Sequence, residues 1–311
     1  MHSKKIGILE PIYFSEQAIK ILREVGDVFL FDGEDIKAFL QDKEIIFIRL
    51  KYYIDNSFFK SAPLLKYICS PTTGLTHIDL NEIRKRNIKV VSLKGESDFL
   101  YKIRATPEHL LGLTLALLRN YKKCFLSEQN KLWNRYNYIG EELFKNKIGI
   151  IGFGRVGKIL AKYFECFGAN VFFYDRNQEV SEEFSANKLN SVEELISSTD
   201  IILLCASYEG ERIFHKHHID MLDNKFFING SRGELIDEGY LIKKIKSKSI
   251  KGVALDVISN ENKKINNLNK FLKLTKGRNF ILTPHIAGVT FKSMRETEEF
   301  IAVKLMESLR G

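Results

Sequence analysis

Two parallel β-sheets, each covered by helices on both faces, are expected of this chain: an α/β protein of two doubly wound domains. Three observations carry that expectation. The 311 residues suit about two domains at roughly 100–200 residues each. Short apolar runs alternate with helical patterns in two separate series, and a G-x-G-x-x-G stretch opens the second series, in mid-chain. Such βαβα alternation gives parallel sheets flanked by helices.

In the first series, residues 6–9, 28–31, 45–48, 67–69 and 89–91 read as strands, with helices over 15–25 and 78–86. The connector reads as one long helix. Thr106 is its expected N-cap and Pro107 its first helical residue, with Leu110, Leu113, Leu117 and Tyr121 recurring at helical spacing. The second series places strands at 148–151, 171–174, 201–205, 226–229, 253–257 and 280–283. A charged helix over 291–309 is too short for a domain of its own, and packs back on the first domain or bridges the two. No short internal repeat is present.

Composition narrows the class. Apolar residues make up 44% and charged residues 28%, ordinary values for a globular chain. Five prolines and no Ser/Gly tract speak against a disordered scaffold. The four cysteines are scattered without a C-x-x-C pair, which fits a reducing compartment and no cysteine zinc site. The N-terminus has no secretory apolar core, and the run at 110–118 is shorter than a membrane span, so a cytoplasmic protein with no membrane partner is expected. The 48 Lys+Arg against 39 Asp+Glu leave a formal charge of +9. Residues 243–278 hold eleven Lys/Arg against two acids, and the rest of the chain is balanced at 37 of each. Solvated lysines account for this plainly; a positive rim that steers an anionic substrate is the sharper reading. No helix-turn-helix, zinc finger or aromatic-basic platform points to nucleic acid.

Gly152-Phe153-Gly154-Arg155-Val156-Gly157 is a weak signal alone and a specific one in context. It follows the apolar strand ending at Ile151 and opens a helix with Val156, Ile159, Leu160 and Tyr163 on one face. The next strand ends in Asp175, eighteen residues beyond Gly157. Gly152 permits the tight turn, Gly154 lets backbone approach a pyrophosphate, and Gly157 allows close helix–strand packing. Asp175 accepts hydrogen bonds from ribose hydroxyls, which favours NAD over NADP, although Arg176 beside it would suit a 2′-phosphate.

Arg232-Gly233 follows the strand at 226–229, Glu261 lies five residues beyond Asp256, and His285 ends the strand at 280–283. An Arg, a Glu and a His thus converge on the sheet edge where open α/β sheets bind ligands. An arginine fork suits a carboxylate.

These stretches resemble the D-isomer-specific 2-hydroxyacid dehydrogenase family, which includes D-3-phosphoglycerate dehydrogenases and glyoxylate/hydroxypyruvate reductases. The resemblance runs through Trp133…Gly140-Glu-Glu-Leu, Gly149 to Gly157, Tyr174-Asp175, Asn229-Gly-Ser-Arg-Gly233, Ala254-Leu-Asp-Val257 and Thr283-Pro-His-Ile-Ala-Gly288. It implies a Rossmann NAD-binding domain (104–285) inserted into a flavodoxin-like substrate domain (1–103 plus 286–311), and a homodimer. It also implies hydride transfer between nicotinamide and C2 of a small D-2-hydroxy or 2-keto acid, a phosphorylated acid of the 3-phosphoglycerate kind included. The catalytic residues it implies are Arg232, Glu261 and His285, with His285 as general base or acid and Glu261 holding its imidazole. Cofactor contacts fall on Gly152, Gly154, Arg155, Val156, Gly157, Asp175, Ala206, Gly230, Ser231, Asp256, Gly288 and Thr73. Substrate contacts fall on Arg49, Thr72, Thr73, Gly74, Arg232 and His285.

The chain also departs from the family pattern. Ser70-Pro-Thr-Thr-Gly74-Leu-Thr-His77-Ile-Asp79 replaces a more glycine-rich substrate loop, Cys205-Ala206-Ser207 replaces His-x-Pro, and Lys102-Ile-Arg104-Ala-Thr106-Pro-Glu108 replaces Ser-x-Ala-Glu. Arg49, Lys51, Lys102 and Arg104 are further candidate anion contacts. His77 reads as a loop residue. His215-Lys-His217-His218 has only Asp220 as a carboxylate at ligand spacing, so no metal is expected. A second reading stays open: a non-catalytic NAD-binding interaction module of the same fold, acting like a co-repressor. An intact Arg–Glu–His set favours the enzyme.

Overall fold

The computed structural model describes residues 3–128, 133–177, 185–261, 263 and 265–310. Five strands come first: β1 (Lys4–Ile8), β2 (Gly26–Leu30), β3 (Ile45–Phe47), β4 (Tyr67–Ser70) and β5 (Lys89–Ser92). Between and after them lie α1 (Glu16–Arg23), α2 (Ile36–Leu40), α3 (Asn56–Ser61), α4 (Leu80–Lys85) and α5 (Ser97–Tyr101). Short polar residues start these helices: Ser15, Asp35, Asp55 and Asp79 accept backbone N–H groups at the starts of α1, α2, α3 and α4, satisfying donors that have no partner within the helix. The caps explain why α1 and α4 are shorter than the apolar pattern alone implies.

The second series follows. Helices α6 (Ala105–Leu118) and α7 (Tyr121–Glu128) lead to β6 (Lys147–Ile151), α8 (Arg155–Cys166), β7 (Asn170–Tyr174), β8 (Asn187–Lys188), α9 (Val192–Ser198) and β9 (Ile201–Leu204). Then come α10 (Lys216–Asp220), β10 (Phe226–Asn229), α11 (Glu238–Ser247), β11 (Gly252–Leu255), α12 (Leu268–Leu274), β12 (Phe280–Leu282) and α13 (Phe291–Arg310).

The chain divides into two compact units, Met1–Lys102 with Val289–Gly311, and Ile103–Gly288, where the sequence reading drew its boundaries at 103/104 and 285/286. In the first unit the strand order is β2-β1-β3-β4-β5, all parallel, the flavodoxin-like order. Ile6, Ile8, Ile45, Ile46 and Phe47 are all 1% exposed or less, as expected of strands buried on both faces. Helix α13 packs on α1, and its Ile301, Ala302 and Leu305 join the core formed by Ile6, Leu22 and Val91. The end of the chain therefore completes the first unit.

In the Ile103–Gly288 unit the order is β12-β11-β10-β9-β6-β7-β8, again parallel, a doubly wound dinucleotide-binding order with one further strand. Alternate residues of β9 serve opposite faces: Ile202 and Leu204 enter one core, Ile201 and Leu203 the other. The connector corrects the sequence reading. Asn120 takes φ +52° and splits the expected single helix into α6 and α7. Arg104, not Thr106, is the N-cap, and Pro107 lies third in α6, where its missing N–H is still harmless. Tyr121 begins α7 and is 41% exposed rather than continuing the buried face of Leu110, Leu113 and Leu117.

Candidate functional site

The turn between β6 and α8 owes its shape to two glycines. Gly152 takes φ +94°, and a Cβ there would collide with the Ala206 backbone, so the loops after β6 and β9 touch. A Cβ at Gly157 would collide with the Gly152 carbonyl. Gly154 differs: nothing lies within 4 Å of where its Cβ would be. It stands at the N-cap of α8, a twelve-residue helix, and makes no side-chain cap, so the space beside the start of the helix is left open by the glycine. That is room and polarity for a pyrophosphate. Arg155 and Val156 begin the helix. The Arg155 guanidinium donates to Ile103 O at 3.2 Å, and burial, with the Arg104 charge, lowers its pKa. Asp175, at the end of β7, accepts from Phe153 N–H at 2.5 Å and Asn177 N–H at 2.8 Å, which ties its carboxylate to the glycine turn.

The next loops along the same edge are equally close. Ser231 Oγ donates to Ala206 O, and a Cβ on Gly230 would run into Leu110 of α6. Asn229, fully buried, accepts Ser231 N–H and donates to Arg232 O, both at 3.0 Å. This shapes the segment that presents Arg232. The Arg232 guanidinium is half-buried and donates to Ser231 O at 2.7 Å. Burial lowers its pKa, opposed by the Glu261 and Glu234 carboxylates nearby.

His285 and Glu261 meet directly: Nδ1 lies 2.5 Å from Glu261 Oε1. Their side chains are 20% and 28% exposed, so the pair is sheltered yet reachable. His285 takes φ +53°, a conformation uncommon for a side-chain-bearing residue. Its N–H donates to Asp256 O at 2.8 Å, while the Asp256 carboxylate accepts Ile286 N–H at 2.9 Å, Ala287 N–H at 3.0 Å and Thr283 Oγ1–H at 2.6 Å. His109 Nε2 lies 3.3 Å from the same carboxylate. Burial would raise the Asp256 pKa, but these hydrogen bonds outweigh it and the net direction is down. The Asp256 carboxylate is thus engaged by its own chain and fixes the His285 turn; the sequence reading had it among the cofactor contacts. The Glu261 loop is pinned likewise: Glu238 accepts Ser259 N–H at 2.5 Å and Asn267 Nδ2–H at 2.8 Å, and Glu234 accepts Asn260 N–H at 3.0 Å. Asn229, His109, Thr283, Glu234 and Glu238 were not singled out by sequence for these tasks. No fixed spacing ties a helix residue at 109 to strand ends at 256 and 283.

The first unit holds the remaining candidates. Thr72 Oγ1 donates to Gly74 O at 3.0 Å and lies 2.9 Å from Ser70 Oγ, closing the loop after β4, while Thr73 is exposed. His77 is 2% exposed. Arg49 is engaged: Nε and Nη2 lie 2.8 and 2.5 Å from Oε1 of Glu298, and Nη1 donates to Ile12 O at 3.0 Å. Glu298 is fully buried, so this guanidinium ties the segment after β3 to α13.

The histidine cluster finds a carboxylate that spacing did not reveal. Nε2 of His217 and of His218 lie 3.0 and 2.7 Å from Oε1 of Glu193 in α9, while Asp220 instead accepts the Tyr240 hydroxyl at 2.7 Å. His218 Nδ1 accepts His215 N–H at 3.0 Å, so its proton sits on Nε2 and no ring lone pair is left for an ion. The arrangement is a hydrogen-bond clasp between α9 and α10. Among the described residues, no helix is long and apolar enough to cross a membrane.

Family models of the D-isomer specific 2-hydroxyacid dehydrogenases match residues 6–99 as the catalytic domain and 111–287 as the NAD binding domain. The chain belongs to this family. Within it, the chain is 30% identical to a D-3-phosphoglycerate dehydrogenase of Methanocaldococcus jannaschii over 99% of its own length, and spans 58% of that protein. It is 29% identical to a glyoxylate reductase of Thermofilum pendens over 95% of its length and 89% of the relative's. The fold matches that of a D-lactate dehydrogenase from Aquifex aeolicus, complexed with NAD and lactic acid, with a TM-score of 0.85 at 23% identity, covering 99% and 96% of the two chains. In this family's terms, the glycine turn and the Arg232–Glu261–His285 group all lie in the NAD binding domain.

Proposed function

We propose that the protein is an NAD-dependent oxidoreductase acting at C2 of a small D-2-hydroxy or 2-keto acid. The observation that carries this is the His285–Glu261 pair at 2.5 Å, with Arg232 close enough for the Glu261 charge to act on it, on the sheet edge that bears the glycine turn. NAD is held by the Gly152–Gly157 turn, the α8 N-terminus and Asp175, and bound NAD supplies the hydride acceptor or donor. Asp175 disfavours a 2′-phosphate by like charge, hence NAD over NADP.

The chain's own residues do the rest. With Nδ1–H donated to Glu261, Nε2 of His285 is the atom that takes the hydroxyl proton in oxidation and returns it to the carbonyl oxygen in reduction. The Glu261 carboxylate favours the imidazolium formed in oxidation. Arg232 binds the substrate carboxylate by its planar fork. The four cysteines are free thiols, which suits a cytoplasmic protein. A homodimer is part of the proposal, carried by exposed aromatic residues in the NAD binding domain.

A screen of 2-keto acids, phosphorylated and not, with NADH and NADPH absorbance as readout, tests the proposal. NADH oxidation is expected with at least one acid, lost by roughly 10²–10⁴-fold in His285→Ala and in Arg232→Ala, with NAD binding kept. No turnover with any acid, while NAD still binds, would move the protein to the non-catalytic reading.

A further inference from the structure

The strands of the NAD binding domain all run parallel, so the sheet has two unlike edges. The glycine turn, Arg232 and His285 follow the carboxyl ends of β6, β10 and β12. At the opposite edge, before β11 and β12, lies a separate cleft of 180 Å³ lined by Ile245, Lys248, Ile250, Val253, Arg278 and Asn279. Apart from Asn279, its lining residues fall inside the 243–278 segment that carries the whole charge surplus of the chain; Asn262 and Lys264 of that segment lie outside the described residues. Those cations therefore do not simply rim the catalytic edge.

Two lysines of the segment are matched by acids. Lys244 pairs with Asp223 at 2.7 Å and Lys251 with Glu141 at 2.6 Å. No acidic side chain lines the cleft, and among the described residues neither Lys248 nor Arg278 makes an ion pair. Arg278 Nη1 is moreover buried with no hydrogen-bond partner among the described residues, a costly condition for a charged donor. Lys248 caps α11, and the negative end of that helix accounts for one cation. It does not account for Arg278, which arrives from the turn before β12.

We infer that this cleft binds a phosphate monoester, its dianion between Lys248 and Arg278 and its carbon substituent over Ile245, Ile250 and Val253. An arginine without a counter-ion, beside a lysine balanced only by a helix end, suits an anion; its fork suits phosphate oxygens, and the aliphatic floor favours an ester over the bare ion. The inference is independent of the reaction proposed above, since the cleft shares no residue with that site.

Glycerol 3-phosphate and inorganic phosphate are titrated by ³¹P NMR and thermal unfolding, with NAD saturating so that the glycine turn is filled, and with chloride at equal ionic strength as control. The expected result is saturable binding of the ester, tighter than that of phosphate, with Kd raised tenfold or more in Lys248→Gln and in Arg278→Gln. Turnover is expected to be unchanged in both variants. Unaltered Kd in Lys248→Gln, loss of binding when NAD is added, or stabilisation equalled by chloride would each overturn the inference. Equal affinity for ester and phosphate would overturn the aliphatic part of it. Should Arg278→Gln fail to fold, Lys248→Gln carries the test.

Discussion

At His285 the backbone is turned to φ +53°, and Asp256 holds it there through its carbonyl and its carboxylate, together with the Thr283 carbonyl. An asparagine at 256 keeps the shape but offers an amide N–H₂ to one of the N–H groups it should accept. Asp256→Asn is therefore expected to lower kcat about 10–100-fold with NAD affinity retained, as stopped assays and NAD titration would show; unchanged kcat would remove the positioning role. Stability should change with pH as well. The folded Asp256 pKa lies below the ordinary value, so its contribution is present above roughly pH 4 and lost as pH falls through the folded value. The stability gap between wild type and Asp256→Asn should accordingly narrow on acidification in urea unfolding; a constant gap would contradict the shift. Glu261→Gln tests a different link. Glutamine can still accept the His285 Nδ1–H but carries no charge to favour the imidazolium, so turnover should fall roughly 10²-fold in both directions without loss of NAD binding. Arg232, Glu261 and His285 each follow a strand within a few residues, which placed them on one sheet edge from sequence; their catalytic roles were what the family resemblance implies. Asn229, Asp256's partners and Glu238 could not, since their tasks depend on contacts between distant segments.

Among the elements, the glycine turn was legible because each glycine answers to local sterics, and the structure separates their tasks. At Gly157 a Cβ would strike the Gly152 carbonyl, whereas at Gly154 it would meet nothing. Gly157→Ala is expected to force α8 from β6 and destabilise the protein by about 1–3 kcal/mol, with NAD binding weakened as a consequence. Gly154→Ala should fold with wild-type stability and still lose NAD affinity tenfold or more, because the methyl fills the space open to the pyrophosphate. Denaturant midpoints and NAD titrations on both variants decide it; equal stability losses would merge the two roles. The strands of both sheets were legible from their apolar runs, except β8, whose Asn187–Lys188 carries no apolar signal. The connector misled because its apolar spacing continues across Asn120. A single left-handed residue ends the helix without a proline or glycine to announce it. Arg49 shows what a strand-end arginine leaves open: it suits an anion equally whether the anion is a ligand or a carboxylate of the chain, and here it meets Glu298 of a helix nearly 250 residues later.

At the scale of the whole molecule, the apolar residues that the fold leaves uncovered are not evenly spread. Phe125 is 63% exposed, Trp133 95%, Tyr136 75% and Ile139 72%, all within the stretch of the NAD binding domain that runs from α7 to β6. Isolated exposed apolar side chains are ordinary, but a concentration of aromatic ones marks a surface that meets another protein. A second copy of the chain is the partner proposed here, and association buries these rings without touching the glycine turn or His285. The wild-type protein should therefore sediment as a dimer at micromolar concentration, with a melting temperature that rises with protein concentration. Trp133→Glu combined with Tyr136→Glu places two charges in that surface and should yield a monomer whose NAD affinity is preserved, because the nucleotide turn is formed by other segments. Sedimentation velocity over a hundredfold concentration range distinguishes the cases. A wild-type protein that stays monomeric throughout would leave the exposed aromatic stretch without this role, and a double variant that remains dimeric would place the interface on another face.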